Sequence, residues 1–521
     1  MRKLVHEPVP YSQSTLWSIQ RDYYESQGIK AWQGGEVPHY ITNTPYIAKA
    51  YAEVIFGFLR DQARLKKQTL DPIYIMELGG GSGRLAFQIL QFLQQLCEQA
   101  SFEVPGYTYI LSDFALKNIS FWEANDRLRP FTELGLLDFA RFDAEHDREI
   151  QLIRSQRTIT AHSLSTPLLI IANYFFDTIP QDLFYFSNGQ AFECHVITQL
   201  AKSSSMPASP VEQFGNLSFD YQLSPVTSFG YKDQRFNAVL EDYRDQLEES
   251  YVLFPSVGLQ CLERLRALST EGFLLLSADK GHHRVGNLDH RPIPSLVHHG
   301  SISLTVNYHA MISYYGQLGS LCLSTEHTHR HLNIVGVLML DDAGAYSDTR
   351  HAFKQFVESF GPDDFFHVKK FCNQHMKDIE ISLFFSLIRL SLYDAHFFKP
   401  YIPRLLILLP NCSESEKIDM KHMIHSVWER YYPIGEKYDL AFDLGLLLYQ
   451  MDDYTDAIAM FNQSISGYGG NYSVFYNIAA CYYRIENDLQ AEIFLDKCLE
   501  IKPTHAEAQA LKKRLASSVE H

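Results

Sequence analysis

The chain has 521 residues, 46% of them hydrophobic and 20% charged, an ordinary globular composition whose length predicts about three domains. Its net charge of −16 excludes a general binder of phosphate backbones, so no nucleic-acid partner is expected. The eight cysteines form no C-x-x-C pair, which excludes a zinc ribbon and a disulfide framework. There is no signal-like start and no apolar run of about 18 residues, so a cytoplasmic chain without membrane insertion is expected.

In chain order, residues 1–65 read as an N-terminal helical segment, or lid. Apolar residues fall at helical spacing over 12–24 and 45–59, and Pro45 suits a first helical turn. A Gly- and polar-rich loop, 28–44, joins the two. Residues 66–345 alternate short apolar runs with helical stretches. Strands are expected at 73–78, 107–112, 138–142, 167–173 and 272–278, with helices at 84–96 and 116–128. This βαβα order implies an α/β domain with a parallel, doubly wound sheet. A hairpin over 183–196 turns at Asn188-Gly189. Residues 201–233, rich in Ser, Pro and Gly, read as a surface loop, and 332–340 as an antiparallel edge strand.

Residues 346–521 read as all-helical and carry a repeat. Leu444, Ala457 and Phe461 recur 34 positions later as Ile478, Ala491 and Leu495. That period, with alanines where paired helices cross, resembles tetratricopeptide (TPR) units at 438–471 and 472–505. Gly445, Tyr454 and Pro503 also fall on the repeat's positions. Residues 370–437 are expected to supply degenerate helical partners, and 506–515 a capping helix. Within 438–505, ten acids against three bases give 3 − 10 = −7, which points to a basic protein segment as the partner of a concave groove.

The sharpest motif is Glu77-Leu78-Gly79-Gly80-Gly81-Ser82-Gly83, after the first strand. Gly79, Gly81 and Gly83 allow a tight turn and close approach of a ligand, and the next helix offers free N–H groups. A dinucleotide fingerprint needs a glycine where Arg84 stands, and the phosphate loop's terminal Gly-Lys-Ser/Thr is absent. The remaining E-x-G-x-G-x-G resembles the first motif of class I S-adenosylmethionine methyltransferases. In that pattern the acid, here Glu77, lies near the cationic end of the cofactor, with Gly80 in the same loop. Asp113 ends the second strand, where an acid can accept hydrogen bonds from both ribose hydroxyls. Asp143, after the third strand, sits where an acid could contact adenine. Asn173 and Asp177 are polar groups embedded in apolar sequence, at the end of the sheet where ligands bind.

The resemblance then becomes specific. ELGGGSGRLAFQIL, IIANYFFDTIPQDLF and GSISLTVNYHAM resemble successive blocks of the MidA-type methyltransferase family, over roughly residues 20–345. The loop 34–46 falls where that family has an N-terminal Gly-Asp-Phe segment. The resemblance implies a Rossmann-like class I methyltransferase sheet with helices on both faces and S-adenosyl-L-methionine as cofactor. It also implies a protein arginine as acceptor, as in mitochondrial members that methylate an arginine of a respiratory-complex subunit. One position departs. The family reads N-E-[FL]-[FL]-D, and this chain has Tyr174 in place of the Glu. A tyrosine cannot give a guanidinium the paired hydrogen bonds of a carboxylate.

The expected protein is an S-adenosyl-L-methionine-dependent methyltransferase whose TPR-like repeats recruit a protein substrate or partner. Glu77, Gly79, Gly80, Gly81, Gly83, Asp113 and Asp143 are assigned to the cofactor, and Asn173, Tyr174 and Asp177 to the acceptor side. A small-molecule methyltransferase with repeats for assembly, a non-catalytic adaptor and a homo-oligomer stay open. His327, His329 and His331 alternate and could share one face of a strand. No carboxylate–histidine framework accompanies them, so no metal is expected.

Overall fold

The computed structural model describes residues 3–5, 7–35, 37, 39–65, 71–201, 217–295, 297–299 and 301–518. Two compact units divide at 366/367.

The first unit opens with two main helices, α1 (Thr15–Gln27) and α2 (Pro45–Leu65). Helix α2 buries Ile47, Tyr51, Ile55 and Phe58, a stripe at helical spacing. Strand β1 (Ile73–Leu78) is buried along its whole length and runs through the glycine loop into α3 (Arg84–Glu98). Strand β2 (Tyr107–Asp113) leads to α4 (Leu116–Glu123), which ends short of the expected 128. A separate short helix, Arg129–Glu133, follows with Pro130 in its first turn, where the missing N–H costs nothing. Strands β3 (Leu137–Arg141) and β4 (Leu168–Asn173) complete the first half of the sheet.

A second sheet then interrupts the first. Strands β5 (Asp182–Ser187) and β6 (Gln190–Ala201) form the expected hairpin, with positive φ at Asn188 and Gly189. The expected surface loop over 201–233 is corrected in part. Residues 202–216 lie outside the described residues, but β7 (Leu217–Val226) pairs antiparallel along β6 from Ala191↔Val226 to Leu200↔Leu217. Leu217, Phe219, Tyr221 and Leu223 alternate as a strand should, and the Ser- and Pro-rich composition around them masks that signal. Helix α5 (Gln234–Gln246) follows, and β8 (Glu249–Phe254) pairs with β5. Lys3–Val5 and Val9–Pro10 pair with β6, giving six strands.

The chain returns through α6 (Ser256–Arg266) to β9 (Phe273–Asp279), then α7 (Tyr308–Gly316), β10 (Leu321–Leu323) and β11 (Asn333–Met339). The main sheet has the order β10-β11-β9-β4-β1-β2-β3. Strands β3, β2, β1, β4 and β9 are parallel; β11 runs antiparallel to β9. The edge is β10, antiparallel to β11, so β11 lies inside the sheet and is not the edge strand expected from sequence. Chain order reverses between β1 and β4, which makes their carboxyl ends the topological switch point where ligands bind. His327, His329 and His331 fall between β10 and β11, in a loop.

Helix α8 (Ser347–Phe353) packs within this unit. Thr349 donates from both its N–H and its hydroxyl to Asp61 Oδ2 of α2, each at 2.8 Å, and Asp61 is fully buried. The segment 346–366 therefore accompanies the sheet, whereas the sequence places the boundary at 345/346.

The second unit is all-helical. Its last five helices are α9 (Leu440–Gln450), α10 (Tyr454–Tyr468), α11 (Tyr472–Arg484), α12 (Asp488–Ile501) and α13 (Ala506–Ser518). Ala457 and Ala491 are fully buried where the helices pair. A Cβ on Gly445 would stand 2.6 Å from the Phe461 ring, so close helix crossing explains the small residues. Among the described residues, no helix is long and apolar enough to cross a membrane.

Candidate functional site

At the switch point lies a cavity of about 800 Å³. It is lined by nine of the ten residues singled out from sequence: Glu77, Gly79, Gly80, Gly81, Asp113, Asp143, Asn173, Tyr174 and Asp177. The tenth, Gly83, stands behind the wall as the left-handed N-cap of α3.

The glycine loop is shaped by backbone demands. Gly79 and Gly81 have φ of +62° and +53°, a region that L side chains rarely enter. A Cβ on Gly81 would also stand 2.9 Å from the Trp32 ring. The Gly81 carbonyl accepts from Trp122 Nε1 at 3.1 Å, and its N–H donates to Asp113 Oδ2 at 3.2 Å. Asp113 also accepts from Asn118 Nδ2 and the Ala115 N–H, each at 2.9 Å. Burial raises its carboxyl, against those donors. Asp113 therefore ties β2, the start of α4 and the glycine loop together at the cavity wall.

Glu77 is 4% exposed and accepts from Tyr109 at 2.7 Å. Burial pushes its carboxyl up to about 8, with Asp113 adding to the shift. An acid held neutral beside open space is matched to a cationic ligand, which would restore its charge.

Asp143 has its carboxylate engaged by protein. Oδ2 accepts from the Arg21 guanidinium at 2.5 Å and Oδ1 from the Glu145 N–H at 3.0 Å. Burial would raise this carboxyl, but Arg21 and that N–H hold it below the usual range.

At the other end of the cavity, the Asn173 Oδ1 accepts from the buried Tyr51 hydroxyl at 2.8 Å. Tyr174 has φ of +48°, a strained value for a bulky residue, and its N–H donates to the Ala278 carbonyl at 2.9 Å. Asp177 is 4% exposed, and burial pushes it up to about 7.

A profile of the family described as "Putative S-adenosyl-L-methionine-dependent methyltransferase" matches residues 58–333. The chain belongs to that family. It is an S-adenosyl-L-methionine-dependent methyltransferase with C-terminal TPR repeats, for which a second profile, "Tetratricopeptide repeat", matches residues 448–515. Two solved structures from Burkholderia thailandensis each share 14% identity with a TM-score of 0.39. One is of an uncharacterized protein and covers 65% of this chain and 90% of its own. The other, titled a "likely methyl transferase" and bound to S-adenosyl-homocysteine, covers 68% and 86%. A thermophilic TPR protein of Thermus thermophilus shares 14% identity, with a TM-score of 0.22 over 34% of this chain and 92% of its own. A search of curated proteins finds no match.

Sequence reasoning missed the residues by which the methyltransferase covers its cavity. Trp32 lies over Gly81 and stacks on Tyr24 at 5.9 Å. Gln20 of α1 donates to the Thr178 carbonyl at 3.0 Å and accepts from the Ile302 N–H at 2.8 Å, pinning the helix to the turn after β4. The aromatic density of 11–32 was the available signal. It missed Asp279 too, whose place at the carboxyl end of β9 the switch-point rule already marks.

Proposed function

We propose that the methyltransferase acts on a protein side chain at the Asn173–Asp177 end of the cavity, and that its repeats dock the protein carrying it. The observation that carries this reading is that groups suited to the cofactor and groups suited to an acceptor line one cavity. The residues present fit S-adenosyl-L-methionine. Glu77 suits its cationic end, the positive-φ glycines bring backbone close to it, and Asp113 is the acid for its ribose. Asp143, committed to Arg21, shapes the wall near the adenine. When bound, the cofactor supplies a methyl group already activated on a sulfonium. The protein's own task is alignment and dryness: Asn173 and Asp177 orient the acceptor, while Tyr24 and Trp32 exclude water.

Arginine, implied by the resemblance, is disfavoured by Tyr174, which leaves Asp177 as the acceptor-side carboxyl on the cavity wall. In the repeats, Asp453 and Asp456 pair with Lys421, and Asp496 with Lys512. Asp488, Glu492 and Glu500 stay exposed four and eight residues apart on α12, beside Leu489 and Ile493. A basic segment with apolar side chains suits that face, and an acidic face speeds its capture.

The test is transfer of labelled methyl groups into a lysate of the source cells, with Gly81→Val as control. Label in a discrete protein, absent with the variant, is expected. Label confined to small molecules would favour the small-molecule reading, and no label would favour the adaptor.

A further inference from the structure

We propose that Asp177 and Asp279 act as one unit holding a single shared proton, with Asp279 the positioning residue that readies Asp177 to take the proton of the methyl acceptor. This rests on the reading that the acceptor enters at the Asn173–Asp177 end.

Both carboxyls are buried, Asp177 at 4% exposure and Asp279 at 0%. They stand on neighbouring strands: β4 pairs with β9 in the register Asn173↔Ala278, so Asp279 ends β9 beside the turn that carries Asp177. Asp279 Oδ2 accepts from the Phe176 N–H at 3.2 Å, which holds it against that turn. The two side chains are within hydrogen-bond reach of each other. Asp177 Oδ1 and Asp279 Oδ1 are both buried without any donor from the protein. Two neighbouring carboxyls that each keep a buried oxygen without a donor are satisfied by a proton held between them.

The surroundings leave that proton in place. Tyr24 from α1, Tyr51 from α2, Tyr174 from the same turn and Tyr308 from α7 all feel these acids, and all are neutral donors. Lys280 is the cation facing Asp177, and it is exposed at the cavity wall. One buried negative charge is thus tolerated and two are not. Burial and the neighbouring acid hold both carboxyls above their usual range, so the pair carries one proton and one negative charge, and Asp177 is the member on the cavity wall that an acceptor can reach.

An anion poised near neutrality suits an acceptor that arrives with a proton to lose, a hydroxyl or an amine. The acceptor's lone pair forms the new bond to the methyl carbon, and the carbon–sulfur pair stays on sulfur. The acceptor's proton passes to Asp177, taking the pair from one negative charge to none.

Asp279→Asn in the full chain keeps an oxygen for the Phe176 N–H and an amide donor for Asp177, but cannot hold the proton. Three readouts follow. An infrared band of a protonated carboxyl persists at neutral pH in Glu77→Gln, which removes the other neutral buried acid, and loses intensity when Asp279→Asn is added. The wild-type carboxyls titrate higher folded than unfolded, so their stabilisation is present below about pH 4 and is lost as pH rises through about 7. The melting temperature of Asp279→Asn relative to wild type should therefore climb between those values, whereas a purely structural residue would lower it equally at every pH. Where label transfer is measurable, its acid limb should move up, because the carboxyl hydrogen bond that holds Asp177 down is replaced by a weaker amide donor. Unchanged bands with parallel melting curves would overturn the pair. S-adenosyl-homocysteine titrations separate the two claims: binding retained without a shared-proton signal sinks the pair alone, and no binding in folded wild type sinks the site.

Discussion

At the residue scale, the site's acids divide by what holds them. Glu77 is kept neutral by burial up to about 8 in the ligand-free protein. A cationic cofactor needs it ionised, so affinity for S-adenosyl-L-methionine should rise as pH is raised through about 8, and Glu77→Gln should flatten that rise. Calorimetry across this range checks both. Asp113 carries three hydrogen bonds from protein donors. Asp113→Ala should therefore destabilise the ligand-free protein, on the order of 2–3 kcal/mol, as well as weaken cofactor binding. Denaturant unfolding without ligand measures the first effect. A loss of affinity at unchanged stability would restrict Asp113 to the ribose. The glycines and this acid were legible as parts of the cavity wall because the main chain favours them there: glycine enters those φ values with least strain, and the acid stands at a strand's carboxyl end, where ligands bind. Asp143 was legible as a position but not as a partner, since Arg21 lies 122 residues away in the chain.

At the element scale, the parallel strands were legible because each is a short apolar run punctuated by Gly or Asp. The second sheet was only half legible. Its hairpin announces itself through Asn188-Gly189, while β7 alternates in a stretch whose Ser and Pro content reads as loop. The position of β11 inside the sheet depends on three-residue β10, too short to carry a pattern. The N-terminal helices were legible as helices, but their function lies in contacts with distant elements. Helix α1 is latched by Arg21 to Asp143 at 2.5 Å and to Glu145 at 3.5 Å. Arg21→Ala should speed dissociation of S-adenosyl-homocysteine by roughly threefold to fivefold, the scale of a partly exposed ion pair, with little effect on unfolding. Stopped-flow displacement reads this directly, and an unchanged rate would mean that α1 does not gate the cavity.

At the scale of the whole molecule, each unit has its own buried core. One is centred on the two sheets; the other joins Ala479, Ala491, Leu495 and Ala508 across the last helices. Residues 1–366 alone should bind S-adenosyl-homocysteine as the full chain does, yet methylate the true protein substrate less well. Comparing both proteins at low and high salt checks the acidic docking face, since screening should weaken only the full chain's advantage. The central claim is that the loop from Glu77 to Gly83 holds the methyl donor. The most direct measurement is calorimetric titration of S-adenosyl-homocysteine into the full-length protein and into Gly81→Val. One site per chain is expected for the wild type, weakened more than about tenfold, or 1.4 kcal/mol, in the variant, whose side chain would meet Trp32 at an unfavourable φ. Equal affinity in a folded variant would contradict the account.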